Sequence, residues 1–274
     1  MRSCGELTTS HGVPVTGTMA FLNALFAIMG KYEYDCIIPC AEGGNNWRKK
    51  EEGSEYKANR ESAGIAHYAD QSLLLEEVLP TLGMTVAKAP GYEADDVIAH
   101  ISRHSPAYEE IHILSCDKDL LQLVTNKVKV LLFSSAKKME LVDIDGVINH
   151  FGVYPTEVKY FKALSGDKSD NVAGLPKVGP KTAVKIIEES RPKGEDEFLS
   201  GADRIAFHPK VVPHAGTFLA NLRLVTLENN VPDLNWFASS PPIPLHVETL
   251  LEGLEFKTML KRKVKILEVL GCSK

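Results

Sequence analysis

The chain has 274 residues, of which 44% are hydrophobic and 24% charged, values that exclude disordered, collagen-like and membrane-spanning classes. That length suits one large domain or a domain with an appendage, and more than two domains are not expected. The 31 basic and 36 acidic residues leave a net charge of -5, which speaks against a nucleic-acid partner unless the acids are gathered around cations and a basic stripe remains elsewhere.

No run of about 18 apolar residues occurs, and Met1 to Gly12 lacks the basic and then apolar build of a secretory signal, so a cytoplasmic protein without membrane contact is expected. Five cysteines (Cys4, Cys36, Cys40, Cys116, Cys272) are scattered without zinc-type spacing and read as reduced, mostly packing thiols.

In chain order, the His11-Gly12-Val13-Pro14 turn precedes a helix over Val15 to Lys31, with Met19, Leu22, Phe26 and Met29 at helical spacing. Asp35 to Cys40 reads as a short buried strand, and Gly43 to Arg60 as a polar, basic loop or mobile helical segment. A helix carrying Leu73 to Leu82 ends near Gly83. Then follow a strand at Thr85 to Ala87, a helix from Glu93 to His104, a strand at Glu110 to Ser115, a helix at Asp117 to Val124 and a strand at Val128 to Phe133. This alternation implies a mostly parallel sheet covered on both faces. After about Asp143 strand signals stop, and helices are expected at Asp143 to Phe151, Thr156 to Leu164, Pro180 to Glu189, His214 to Leu227 and Val247 to Leu254. No repeat or low-complexity tract is present, and Gly201 to Pro244 shows no chemical motif.

Three acidic motifs carry the chemistry. Glu93, Asp95 and Asp96 open a helix that follows a strand, Asp117 and Asp119 follow another strand, and Asp167 and Asp170 lie in a glycine-led loop. Each has a plain structural reading, as first-turn acids favoured by the helix dipole, an Asp N-cap, or a turn. Together they are more telling, because ligands of open parallel sheets gather at the carboxyl ends of strands. Two carboxylates 4 Å apart repel by about 4 kcal/mol at an effective dielectric of 20, so such a cluster needs cations or protons. An all-oxygen set selects magnesium, with manganese as substitute, and points to phosphate-ester hydrolysis.

Basic residues Lys49, Lys50, Lys57 and Arg60 interleave with Trp47 and Tyr56, as a single-strand groove requires, although Glu51, Glu52 and Glu55 fit a solvated loop equally well. In Gly174 to Ala183, Gly179 permits close backbone approach and Pro180 suits the first helical position, so free N–H groups at that helix start can bind a phosphate; Lys177, Lys181 and Lys185 add charge.

The strings GYEADDVIA (Gly91 to Ala99), SCDKDLLQLV (Ser115 to Val124) and ALSGDKSDNVAGLPKVGPKTAVKII (Ala163 to Ile187) closely resemble signature segments of the 5′-3′ exonuclease and flap endonuclease family. That family includes the 5′-nuclease domain of bacterial DNA polymerase I and standalone bacteriophage 5′-nucleases. The resemblance covers roughly His11 to Glu189. It implies a PIN-like doubly wound α/β catalytic domain over residues 1–142, with an arch near residues 43–68. A helical part over 143–274 would carry a helix-turn-helix-like DNA-binding hairpin at 163–190.

The same resemblance assigns Glu93, Asp95, Asp96 and Asp117 mainly to a first Mg2+ site, and Asp119, Asp167 and Asp170 to a second. Lys57 and Arg60 would sit at the scissile phosphate. Arg48, Lys49, Tyr56, Gly174, Lys177, Gly179, Lys181, Thr182 and Lys185 would bind DNA, and K+ would sit at the 174–180 hairpin. The implied substrates are 5′ flaps, forked or nicked duplexes and 5′ single strands, with primer removal beside a replicative polymerase as the setting. With no polymerase portion following, a standalone phage-type or accessory enzyme is the expected form.

Two departures stand out. Nothing matches the family's first strand with its Ile-Asp-Gly-like aspartate, and Cys40-Ala41-Glu42 stands where relatives carry an aspartate, so that either Glu42 serves as ligand or Ala41 leaves the position empty. Either the working protein begins upstream of Met1, or this is a form that binds DNA junctions without cutting them. An RNA-cutting relative is a third reading, against which the 174–183 hairpin argues.

Overall fold

Helix α1 (Thr16–Met29) turns Leu22, Leu25 and Phe26 inward against α2 (Ile65–Thr81), whose Val78 and Leu79 are buried in the same cluster. The computed structural model describes residues 7–44, 47, 48, 57, 65–135, 138–192, 199–237 and 240–272. Lys49, Tyr56 and Arg60, with most of the expected arch, lie outside the described residues. Gly83 ends the α2 segment at φ +81°, a backbone conformation that glycine adopts without steric cost.

The α/β core is built as two small mixed sheets where a single mostly parallel sheet was expected. Strand β1 (Cys40–Ala41) runs parallel to β2 (Val86–Lys88), which pairs antiparallel with β8 (Asn235–Phe237). Helix α3 (Ala94–Arg103) leads from β2 into the second sheet, where β3 (Ile111–Ser115) is parallel to β4 (Val128–Ser135), and β4 pairs antiparallel with β5 (Lys138–Val142). The expected strand over Asp35 to Cys40 shrinks to Cys40–Ala41, because among the described residues only this end of the segment is held in register beside β2. The expected helix at Asp117 to Val124 is a 3-10 turn, Lys118–Leu123, started by Asp117, whose carboxylate accepts the Asp119 N–H at 2.8 Å.

Helices α4 (Ile144–Phe151), α5 (Val158–Ser165), α6 (Pro180–Glu189), α7 (Gly201–Ala206) and α8 (Ala215–Val225) pack on β3 and β4 through one cluster containing Val130, Val147, Leu164, Ile186 and Phe218. Truncating the fully buried Phe218 to alanine would cost roughly 3–5 kcal/mol. The expectation that strands stop after Asp143 fails at three places: the hairpin β6 (Gly166–Asp167) with β7 (Val172–Ala173), and β8. These strands are two or three residues long, too short for alternation to register in sequence. Helices α9 (Pro244–Gly253), α10 (Lys257–Leu260) and α11 (Lys263–Val269) return to the first sheet, where Leu251, Met259 and Ile266 join the α1 and α2 cluster.

The reading of the cysteines as mostly packing thiols holds only in part. Cys36 and Cys116 are exposed, because both lie in irregular segments outside the packed strands. No described helix is long and apolar enough to cross a membrane.

Candidate active site

The loops that follow β1 and β2 are clamped together by backbone bonds, Gly43 N–H to the Tyr92 carbonyl at 2.9 Å and Trp47 N–H to the Gly91 carbonyl at 3.0 Å. A Cβ at Gly43 would stand 1.6 Å from the Ala89 carbonyl oxygen, so only glycine allows this approach. The clamp lays Trp47 and Arg48 over the first turn of α3. There Glu93 and Asp96 cap the helix reciprocally, each carboxylate accepting from the other's end of the turn.

Arg48 is 1% exposed and Asp96 0% exposed. The guanidinium donates to both Asp96 oxygens at 2.7 and 2.8 Å, to Glu93 Oε2 at 3.1 Å and to the Thr226 carbonyl at 2.7 Å. Asp96 also accepts from Trp47 Nε1 at 3.3 Å and from the Glu228 N–H at 2.8 Å. A charge removed from water must be paired and hydrogen-bonded to be tolerated, and Asp96 is both. The Lys57 ammonium contacts Glu93 Oε1 and lies 3.8 Å from Asp170 Oδ2, while the Lys57 backbone N–H donates to the Asp170 carbonyl at 3.1 Å. Lys57 thus ties the α3 acids to the loop between β6 and β7.

Asp95 faces the same basin. Burial first, then the Asp117 charge, push its carboxyl up to about 7, against the opposing pull of Lys57. Glu42 follows β1 with part of its side chain in solvent, and burial of its carboxyl first, then the Glu93 charge, raise that group above its ordinary value.

The second group gathers Asp119, Asp167 and Asp170, each offering a ligand atom within 4.8 Å of the others. Lys162, buried on α5, contacts Asp119 and lies 2.6 Å from Asp167. Burial works to raise the Asp167 carboxyl, but hydrogen bonds from Lys162 and Ser169 outweigh it and hold the group below its ordinary value. The loop keeps its shape because Gly166 and Gly174 approach closely: a Cβ on Gly166 would lie 2.4 Å from Gly174 N. Asn221 on α8 donates to the Ala163 and Ala173 carbonyls at 3.0 and 2.8 Å, which fixes the hairpin against α5.

About this basin the structure assembles Glu42, Lys57, Glu93, Asp95, Asp96, Asp117, Asp119, Asp167 and Asp170. Gly174, Lys177, Gly179, Lys181, Thr182 and Lys185 lie in the separate turn and helix that follow. Gly179 caps α6, Pro180 occupies its first turn, and Lys177, Lys181 and Lys185 are exposed. Sequence reasoning overlooked Lys162, Asn221, Thr226 and Glu228. The last two act through backbone atoms, which leave no residue signature.

An all-carboxylate set, with an ammonium already placed between two of its members, has the donor chemistry of a hard divalent cation site. The architecture is shared with known nucleases. It is similar to bacteriophage T5 5′-exonuclease with bound zinc ions, with a TM-score of 0.60 at 19% identity over 92% of this chain and 90% of that one. It is also similar to the catalytic core of Rad2 in complex with DNA substrate, with a TM-score of 0.57 at 16% identity over 96% of this chain and 87% of that one. At these identities the likeness is one of fold: a mixed α/β chain, about half helical with small mixed sheets.

Family models go further. The 5′-3′ exonuclease N-terminal resolvase-like domain matches residues 2–152, and the 5′-3′ exonuclease C-terminal SAM fold matches residues 153–239. The chain belongs to the 5′-3′ exonuclease family. It is 35% identical over 184 residues to a 5′-3′ exonuclease of Aquifex aeolicus, covering 67% of this chain and 62% of that protein. To the thermostable DNA polymerase I of Thermus aquaticus it is 29% identical, covering 93% of this chain and 30% of the polymerase. The chain therefore spans under two thirds of the length of these relatives.

Proposed function

We propose that this protein is a structure-specific 5′-3′ exonuclease and 5′-flap endonuclease that hydrolyses DNA phosphodiesters with the help of two Mg2+ ions, for which Mn2+ substitutes. The observation that carries this reading is the convergence of Asp119, Asp167 and Asp170 from two separate stretches of chain onto one point. They would hold one ion, and Asp95, Asp117 and Glu42, with Glu93 and Asp96 behind them, would hold the other. Bound divalent ions at such a site supply an ionised water at neutral pH and stabilise the leaving oxygen.

The chain's own residues supply position. Lys57, reaching between Glu93 and Asp170, would meet the scissile phosphate, and Arg60 would act near it; Lys49 and Tyr56 would line the path of the 5′ strand, whereas Arg48, expected from sequence to touch DNA, is 1% exposed and bonded to Asp96 and Glu93, so that its part is to position those acids. The start of α6, with Gly174, Lys177, Gly179, Lys181, Thr182 and Lys185, would hold duplex backbone and a K+ ion without reading sequence. Substrates are 5′ flaps, forked or nicked duplexes and 5′ single strands, which suits primer removal beside a replicative polymerase. In this reading the catalytic part is residues 1–142 and the DNA-holding part 143–274.

A second reading rests on Arg48. Its guanidinium already occupies both oxygens of Asp96 and one of Glu93, so a DNA-junction binder that does not cut is supported by that contact. Incubating a 5′-labelled flap with the full chain in magnesium and in EDTA separates the two. Cleavage only with magnesium, lost in Asp119→Asn and Asp170→Asn, is the expected result; binding in both conditions with cleavage in neither leaves the silent reading.

A further inference from the structure

The strap that follows α8, Thr226 to Val231, has no regular secondary structure, so its backbone groups find their partners one at a time along α3. The Thr226 carbonyl accepts from Arg48 at 2.7 Å, and the Glu228 N–H donates to Asp96 Oδ1 at 2.8 Å. One helical turn beyond Asp96, the Val231 N–H donates to His100 Nδ1 at 3.0 Å. Val231 itself is buried in a cluster with Ala87, Ala89 and Val97.

The bond to His100 fixes a tautomer. A backbone N–H can only donate, so Nδ1 carries the lone pair and the imidazole proton sits on Nε2. A second proton on the ring would set one N–H against another, and an amide, unlike a hydroxyl, cannot turn round to accept. His104 stacks on the His100 ring, with centroids 4.3 Å and planes 26° apart, and its Nδ1 donates to the His100 carbonyl at 2.9 Å. Among the described residues, the charge that reaches His100 is that of His104. The strap turns backbone atoms of Asn229 and Val231 to the ring, while the Glu228 carboxylate accepts from the Asn230 N–H at 2.8 Å. Burial first, then His104, hold the His100 imidazole below its ordinary 6.5, against the pull of the Asn229 backbone.

We propose that His100 is a positioning residue that works as a pH-sensitive latch: neutral, it holds the 226–231 strap on α3, and with it the backbone atoms that grip Arg48 and Asp96; protonated, it releases the strap. Because the folded-state pKa is the lower one, the linked stability is fully present above 6.5 and is lost as pH falls through the folded-state value. The latch operates whatever the neighbouring site acts on.

The test is hydrogen exchange followed by mass spectrometry on the full chain in EDTA at about pH 7.5 and about pH 5, with each rate divided by the intrinsic rate at that pH, for the parent and for His100→Asn. The asparagine Oδ1 stands where Nδ1 stands and accepts at both pH values. In acid, segment 226–232 of the parent should lose about tenfold or more of its protection, while His100→Asn keeps it and the α1 segment is unchanged in both. His100→Leu should leave the strap unprotected at both pH values. Nitrogen NMR of the imidazole gives a second readout, with the proton expected on Nε2 at neutral pH. Protection of the strap that does not change with pH in the parent, an equal loss in His100→Asn, or a neutral ring protonated on Nδ1 overturns the proposal.

Discussion

Arg48 grips Asp96 through two hydrogen bonds of 2.7 and 2.8 Å at a place where neither side chain meets solvent. Breaking a buried pair from one side strands the other charge. Arg48→Met is therefore expected to lower the stability to urea by about 3–5 kcal/mol. Arg48→Lys should recover only part of this loss, because an ammonium lacks the planar fork that meets both oxygens.

Asp95 sets a pH dependence in the opposite sense from a paired carboxylate. Its folded-state pKa, about 7, lies above the ordinary 3.8, so the folded state binds the extra proton between those values. The linked stability is fully present below 3.8 and is lost as pH rises through 7. Asp95→Asn, measured by thermal melting in EDTA, should match the parent at low pH and exceed it increasingly toward pH 8. Saturating Mg2+ should shrink that gap, because the bound cation removes the repulsion that Asp95 otherwise feels from Asp117.

Lys162 acts as an internal counter-ion for Asp119 and Asp167. With Asp167 held below 3.8, its contribution to stability is present above that value and is lost as pH falls through the lower folded-state pKa. Lys162→Met should flatten this acid limb in urea titrations. At neutral pH the same variant should gain more in melting temperature from added Mn2+ than the parent does, since the ion then replaces the charge that Lys162 supplied to Asp119 and Asp167.

Lys177 and Lys181 are exposed around the start of α6, where a duplex backbone would lie. Each replaced by alanine should reduce the slope of log affinity against log salt by about 1, uniformly across DNA sequences. Lys185→Ala should do less, because that ammonium lies 3.6 Å from Glu189. Fluorescence anisotropy on a nicked duplex across a salt series measures all three, and an unchanged slope would remove this turn from the interface.

Much of the fold was legible because its signals are local. The start of α6 at Pro180 follows from the glycine before it and the proline at its first position, and the start of α3 from the acids in its first turn. The strand at Ile111 to Ser115 was equally plain from its apolar run. Failures lay where pairing alone decides conformation: Asp35 to Pro39 has the composition of a strand yet lacks one, and β8 is a strand whose residues are all exposed.

The sequence by itself determined the acids, their order and their chemistry, since carboxylates grouped at element starts need cations whatever surrounds them. Only the tertiary structure decided that Arg48 and Lys162 would supply positive charge among those acids, and that Thr226 and Glu228 would reach the Arg48 and Asp96 pair through backbone atoms. The reason is physical. Capping and helical periodicity act within a few residues, whereas charge pairing over a buried site and hydrogen bonding between strands depend on which distant segments the packed core brings together.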